Sequence, residues 1–369
     1  MRTVHANGAA RRVGRAALAL LVAGGLVLTA GCSGRGAGTG ATDGTSEEGA
    51  AGAQVERFAI VTPEKESDHG WNQQGLLAAQ AAAEQLGIEL DEHEGVGYDN
   101  TETILTQVAQ SDNQLVIAHA SGFNAAGARV GQQTGVPTLV VDIEQNVPGK
   151  VATVIPRPEQ GAYLAGIAAA MKTETRKVGI VASAENLNWF LMAGGFAQGV
   201  YSVDPSIEIV IAYIGPAEYG DSAGGRSITD QVIAAGADVI MGLGDGATIG
   251  YLQAIETAQT GRQISYIATI GDVTGIVENP ETVLTSVLWN FADAYVQAIE
   301  DIEAGTFGTK TYELTVENSG LTLQDTPALT NEMQVEAKRA INAIREGQLE
   351  VQRTETKGAV QTLIDAEGA

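Results

Sequence analysis

One cysteine, Cys32, is all that 369 residues contain, so no internal disulfide can brace this fold. Histidine is nearly as scarce, with four residues and none at the spacing of metal ligands. Basic residues number 21 against 45 acidic ones, for a net charge of −24. Arg2, Arg11, Arg12 and Arg15 fall within the first fifteen positions, and without those four positive charges the remainder goes from −24 to −28. Such a surface repels phosphate backbones and excludes nucleic acid as a partner. No basic cluster in the body could receive a polyanion, so the small ligand expected here is neutral. There is no G-x-S-x-G, no Walker lysine and no Cys/His pair, which removes the usual nucleophilic and phosphoryl-transfer chemistries. No metal, no cofactor and no catalysis are expected. Aromatic residues make up only 5% of the chain, so their positions carry information.

What is present begins with a leader. In residues 1–31, four arginines precede an apolar run from Ala16 to Ala30, the layout of a secretory signal. The run is too short and too rich in Gly and Ala to span a bilayer comfortably. Leu28-Thr29-Ala30-Gly31-Cys32 resembles a bacterial lipobox, with Cys32 as the lipid-bearing first residue after cleavage and Thr29 where leucine is commoner. Arg11-Arg12 also offers a twin-arginine export route. Residues 32–55 follow, mostly Gly, Ala, Ser, Thr and Glu, and read as a flexible tether without a core.

From Arg57 onward short apolar runs alternate with longer amphipathic ones. Strand Arg57–Val61 feeds helix Asn72–Leu86 through a polar loop holding Asp68-His69-Gly70-Trp71, and Asp68-His69 is read as part of an exposed surface loop. Strands are expected at Ile88–Glu92, Leu115–Ala118, Thr138–Val141 and Val151–Ile155, with helices at Thr101–Gln110 and Ala125–Thr134. Pro156 and Pro158 break the pattern and mark the first crossover. The grammar then repeats: helix Glu159–Met171, strand Val178–Val181, a loop with Trp189 and Phe190, helix Gly194–Tyr201, and strands and helices onward to Ala304. Tyr312–Val316 and Leu321–Leu323 look like a closing ribbon, followed by a last helix near Asn331–Glu346. This predicts an α/β protein of two doubly wound parallel-sheet lobes. The first lobe covers residues 56–155, completed by part of 272–330; the second covers 156–271, completed by part of 290–365.

Ligands of open parallel sheets bind beyond the carboxyl ends of the strands. All three tryptophans fall at such places, Trp71, Trp189 and Trp289, as do Phe123, Asp142, Asp245 and Asp272. Flat apolar faces beside directional acceptors suit a sugar or a nucleoside. Singly, each has a plainer role: a tryptophan plugs a core, Asp142 and Asp245 cap helices, and Asp272 makes a turn. Gly242-Leu243-Gly244-Asp245-Gly246-Ala247 fits the dinucleotide fingerprint G-x-G-x-x-A, which keeps an NAD-type oxidoreductase as a rival reading. Against it, Asp245 would set a carboxylate where a pyrophosphate belongs.

Several blocks resemble the basic membrane protein family of substrate-binding lipoproteins of ABC importers, to which purine nucleoside receptors belong. Gly70-Trp71-Asn72-Gln73-Gln74-Gly75 is similar to its Ser-Phe-Asn-Gln block, and Tyr163-Leu164-Ala165-Gly166 to its helix after the first crossover. Gly195-Phe196-Ala197-Gln198-Gly199, Gly236-Ala237-Asp238-Val239-Ile240 and Val283-Leu284-Thr285-Ser286 match further blocks in order, over roughly Arg57 to Val351. The resemblance implies the type I periplasmic-binding-protein fold, with a hinge of three crossovers, closing on a nucleoside-like ligand for a membrane permease. The protein would be a monomer tethered through Cys32 outside the cell membrane. It further implies Trp71 and Asn72 as first-lobe contacts and Trp189 or Phe190 as the facing aromatic. Asn124 would read the base edge, Gly244-Asp245-Gly246 would lie beside the sugar, and Asp272 would grip ribose hydroxyls. Trp289 stands where the family has lysine, and the Asp-Gln pair after the ribose aspartate is missing. A neutral sugar or polyol, or a ligand-sensing role, is the alternative.

Overall fold

The computed structural model describes residue 52 and residues 54–367. The expected leader, the lipobox with Cys32 and nearly all of the tether lie outside the described residues. Val55, the expected end of the tether, is already buried in the core.

The chain builds its first sheet from β1 (Arg57–Val61), α1 (Trp71–Leu86), β2 (Glu89–His93), α2 (Thr101–Ala109), β3 (Val116–Ala118), α3 (Asn124–Thr134), β4 (Thr138–Val141) and β5 (Val151–Pro156). It then passes to α4 (Pro158–Lys172), β6 (Lys177–Ala182), α5 (Leu187–Val203), β7 (Glu208–Tyr213), α6 (Ser222–Ala234), β8 (Val239–Leu243), α7 (Thr248–Thr257), β9 (Ser265–Ile270) and β10 (Val283–Trp289). Helix α8 (Ala292–Glu303) and β11 (Tyr312–Leu314) return to the first lobe, where α8 packs on α1. Strand β12 (Leu321–Leu323), α9 (Asn331–Arg345) and α10 (Lys357–Glu367) end in the second.

Each lobe carries a six-stranded sheet, ordered β11-β5-β4-β3-β1-β2 and β12-β10-β9-β8-β6-β7. Every pairing between these strands is parallel except β12 against β10. Central strands such as β3, β4 and β8 are buried along their whole length, as a sheet covered by helices on both faces requires. The edge strand β2 is instead charged, and Arg57 reaches its Asp91 at 3.2 Å, which suits an edge that faces water.

Three segments cross between lobes: at Arg157, between β10 and α8, and between β11 and β12. Pro156 closes β5 and Pro158 opens α4, where a missing N–H costs nothing. The expected ribbon is corrected here. Strands β11 and β12 do not pair with each other but join different sheets, because the chain between them is itself a crossover. The second sheet runs on past residue 271 through β10, hydrogen-bonded to β9.

The Gly-rich helix blocks have a packing role. Added Cβ atoms at Gly195 and Gly199 of α5 would stand 2.2 and 2.1 Å from the carbonyl oxygens of Glu159 and Tyr163 on α4, and one at Gly166 would stand 2.2 Å from that of Phe196. The two helices thus meet backbone to backbone. Helix α5 starts at Leu187 rather than near Gly194, since Asn186 Oδ1 accepts from the Trp189 N–H at 2.9 Å and caps it. Trp189 and Phe190 therefore sit on its first turn, not in a loop. Helix α10 was not expected from the sequence.

Candidate functional site

Both lobes belong to one compact unit, and a cavity of about 840 Å³ lies between them. That is within the range of small-ligand pockets. The first lobe offers Trp71, Asn72, Tyr98, Ser121 and Asp142 to its lining; the second offers Asn186, Asn188, Trp189, Tyr219 and Asp245, with Trp289 at the crossover. Residues from the ends of β3, β4, β6, β7 and β8 thus converge, as the strand-end rule predicts.

Trp71 opens α1 and is fixed from several sides. Its indole Nε1 donates to the His119 carbonyl at 3.0 Å, and its ring stacks on the His119 imidazole with centroids 4.7 Å apart. Trp289 and Phe291 meet it edge-on at 5.9 and 5.5 Å. His119 Nε2 lies 3.0 Å from the Trp71 carbonyl, which can only accept, so Nε2 carries the proton and Nδ1 accepts from the Tyr295 hydroxyl at 2.8 Å. Burial in this apolar nest pushes the His119 pKa down to about 4, so the ring is neutral.

Asp68 is not part of an exposed loop, contrary to expectation. It is buried, and its carboxylate accepts from the N–H groups of Gly70, Asn72 and Gln73 and from Asn72 Nδ2, at 2.8–3.2 Å. A carboxylate at a helix N-terminus offsets both unpaired donors and the dipole. Asn72 lines the cavity while its amide is held by Asp68 and by the Glu64 N–H.

Among the described residues, two hydrogen bonds bridge the lobes across the cleft. Asp245 Oδ1 accepts from the Trp71 N–H at 3.1 Å, and Asp142 Oδ1 accepts from Asn188 Nδ2 at 3.2 Å. Asp142 also accepts from the Ser121 hydroxyl. Neither aspartate caps a helix of its own lobe through its side chain; Asp142 instead takes a left-handed φ of 71°. Burial raises the pKa of both. Asp245 is pushed up to about 8, by burial first and then by the charges of Asp68 and Glu64, against the bond from Trp71.

The other sequence-predicted residues lie elsewhere. Phe123 is fully buried beneath Tyr98, whose ring it meets edge-on at 5.6 Å. Asn124 is buried too, holding the turn after β4 through the carbonyls of Val141 and Ile143. Phe190 packs near Tyr213, and its carbonyl accepts from Thr354. Asp272 is exposed, and its carboxylate is turned back onto Thr274 at 2.6 and 2.8 Å, the plain turn role. None of these four lines the cavity. Gly244 lies behind it: Cβ atoms at Gly242 and Gly244 would meet Tyr266 and Tyr251 at 2.2 and 2.7 Å. These glycines accommodate tyrosine rings, so the fingerprint-like loop forms no pyrophosphate cradle. Tyr98, Tyr219 and Asn188 line the cavity and His119 supports it, and each follows a strand without a motif to mark it.

A model of the family described as ABC transporter substrate-binding protein PnrA-like, Bmp, matches residues 55–355. Basic membrane protein B of Borrelia garinii subsp. bavariensis is 29% identical over 160 residues, 43% of this chain and 45% of that protein, so the match spans under half of the relative's length. The ABC transporter nucleoside-binding protein BmpA of Lactococcus lactis subsp. cremoris is 32% identical over 91 residues, 25% of each chain. Among solved structures, an ABC transporter system solute-binding protein from Aeropyrum pernix K1 superposes with a TM-score of 0.72 at 18% identity, covering 85% of this chain and 98% of that one. At that identity the likeness speaks for the fold alone. With the two lobes, the three crossovers and a family match across nearly the whole described chain, this protein belongs to the PnrA-like (Bmp) family of ABC transporter substrate-binding proteins, a family of binding components rather than enzymes.

Proposed function

We propose that this protein captures a nucleoside-like ligand between its lobes and delivers it to an ABC permease on the outer face of the cell membrane, where acyl chains on Cys32 hold it. The observation that carries this reading is the interlobe cavity itself. It brings together tryptophan and tyrosine faces for a flat ring and carboxylates and amides for hydroxyls and ring nitrogens. The mechanism is hinge closure. Ligand contacts with both lobes add to the two bridging hydrogen bonds and shift the population toward the closed form.

Stacking belongs to Trp71, held rigid by His119, with Trp189 from the second lobe and Trp289 at the hinge. Asp142, Asp245 and Asn188 supply polar contacts. Asn72 lines the cavity while it holds its own loop; Phe123, Asn124 and Phe190 act behind the surface by holding the segments that present these groups, and Gly244 makes room for the tyrosine beneath Asp245. One relative's name supports the nucleoside class, as BmpA is called a nucleoside-binding protein.

Calorimetric titration with adenosine, guanosine, inosine, cytidine, ribose and glucose tests the reading. Binding of a nucleoside that weakens on Trp71→Ala supports it. Binding only of a free sugar keeps the transport role and overturns the nucleoside assignment.

A further inference from the structure

The cavity lining holds five carboxylates, Glu64, Asp142, Glu218, Asp221 and Asp245, and not one lysine, arginine or histidine. None of the five takes part in an ion pair among the described residues, although thirteen ion-pair contacts occur elsewhere. The same lining presents five aromatic rings, Trp71, Tyr98, Trp189, Tyr219 and Trp289. A cation gains from the faces of such rings, more so where water is excluded.

We propose that the ligand seated between the lobes is an organic cation, with its positive charge on or beside the stacked ring. The proposal rests on the nucleoside reading above and narrows it to bases that bear a charge. A neutral nucleoside brings no counter-charge to these five carboxylates, of which Asp142, Asp221 and Asp245 already accept hydrogen bonds within the protein, and its binding would bury them without one. One positive charge within 4–6 Å of several of them is favoured by each. The buried Trp289 Nε1, which has no hydrogen-bond partner among the described residues, adds one donor for an acceptor on the same ligand. Burial that drives Asp142 and Asp245 toward their protonated forms marks the same uncompensated acidity.

Matched nucleosides test this by calorimetry of the full chain at pH 7. 1-Methyladenosine carries a cationic base, adenosine is neutral, and N6-methyladenosine adds a methyl without charge. The expected result is at least tenfold tighter binding of a cationic member than of its neutral parent, with no such gain for N6-methyladenosine. Raising the salt, or combining Glu64→Gln with Glu218→Gln on these exposed positions, should shrink that ratio, the cationic member losing more affinity than its neutral parent. A parent that binds as tightly as its cationic partner overturns the charge inference and leaves the nucleoside reading intact. Binding of choline with no nucleoside bound supports the charge and overturns the nucleoside. No binding by any of these compounds overturns both.

Discussion

The main-chain N–H of Trp71 in the first lobe donates to Oδ1 of Asp245 in the second, 3.1 Å away. Gly70 makes this approach possible, since a Cβ there would stand 2.5 Å from that same oxygen. One carboxylate thus reaches the N-terminus of a helix in the opposite lobe and serves as a latch. Replacing Asp245 by Ala removes it, at about 1 kcal/mol for one hydrogen bond. The closed-to-open ratio without ligand should fall roughly fivefold, read as a lower transfer efficiency between dyes on the two lobes.

Ligand affinity should separate the lining from its surroundings. Trp71→Ala is expected to lose roughly 1–3 kcal/mol of binding, by analogy with base–aromatic stacking. Asp272→Ala should change affinity less than about twofold, since its carboxylate serves Thr274 and lies outside the cavity. Titration of both variants with the same ligand checks the contrast, and a large loss at Asp272 would move the site.

His119 should make the fold sensitive to acid. Its folded pKa of about 4 lies below the ordinary 6.5, so the unfolded chain binds the extra proton between those values. Its contribution is complete above pH 6.5 and is lost as the pH falls toward 4, on the order of 3 kcal/mol in all. Urea unfolding of wild type and His119→Gln at pH 7 and pH 4.5 measures this. The variant should be less stable at pH 7, and the gap should narrow in acid.

Asp245 carries the opposite sign. With its pKa raised to about 8 from 3.8, the folded form holds a proton that the unfolded chain has lost across that window. Its burial therefore costs more as the pH rises from 4 to 8. Asp245→Asn, neutral throughout, should flatten that decline, and the unfolding midpoints of variant and wild type should diverge most near pH 8.

Glycines between α4 and α5 should resist any side chain. Gly195→Ala sets a methyl against the Glu159 carbonyl and should cost roughly 2–4 kcal/mol, since backbone must move. Gly358→Ala in α10 meets open space and should stabilise by about 0.5–1 kcal/mol. Thermal unfolding of the two variants gives shifts of opposite sign.

The sequence by itself determined the two-lobed α/β fold, because apolar runs of strand length alternating with amphipathic runs leave parallel sheets under helices as the only way to bury both kinds of face. It also determined where ligand chemistry would gather, since strand ends in such sheets open onto one edge. Tertiary structure alone decided which strand-end residues face the cleft. Trp71, Trp189, Asp142, Asp245 and Trp289 do so; Phe123 and Asp272 follow strands equally well, yet one sinks under Tyr98 and the other folds onto Thr274. Local pattern fixes distance along a strand but not the rotation of a loop. Tyr98 and Tyr219 obey the same rule, but tyrosine is a weaker signal than tryptophan. The pairing of β11 and β12 into different sheets, and the reach of Asp245 to Trp71, depend on contacts between residues more than a hundred positions apart or on a crossover between lobes. No periodicity in the chain encodes such a choice; it is made by long-range pairing within each lobe and contact between them.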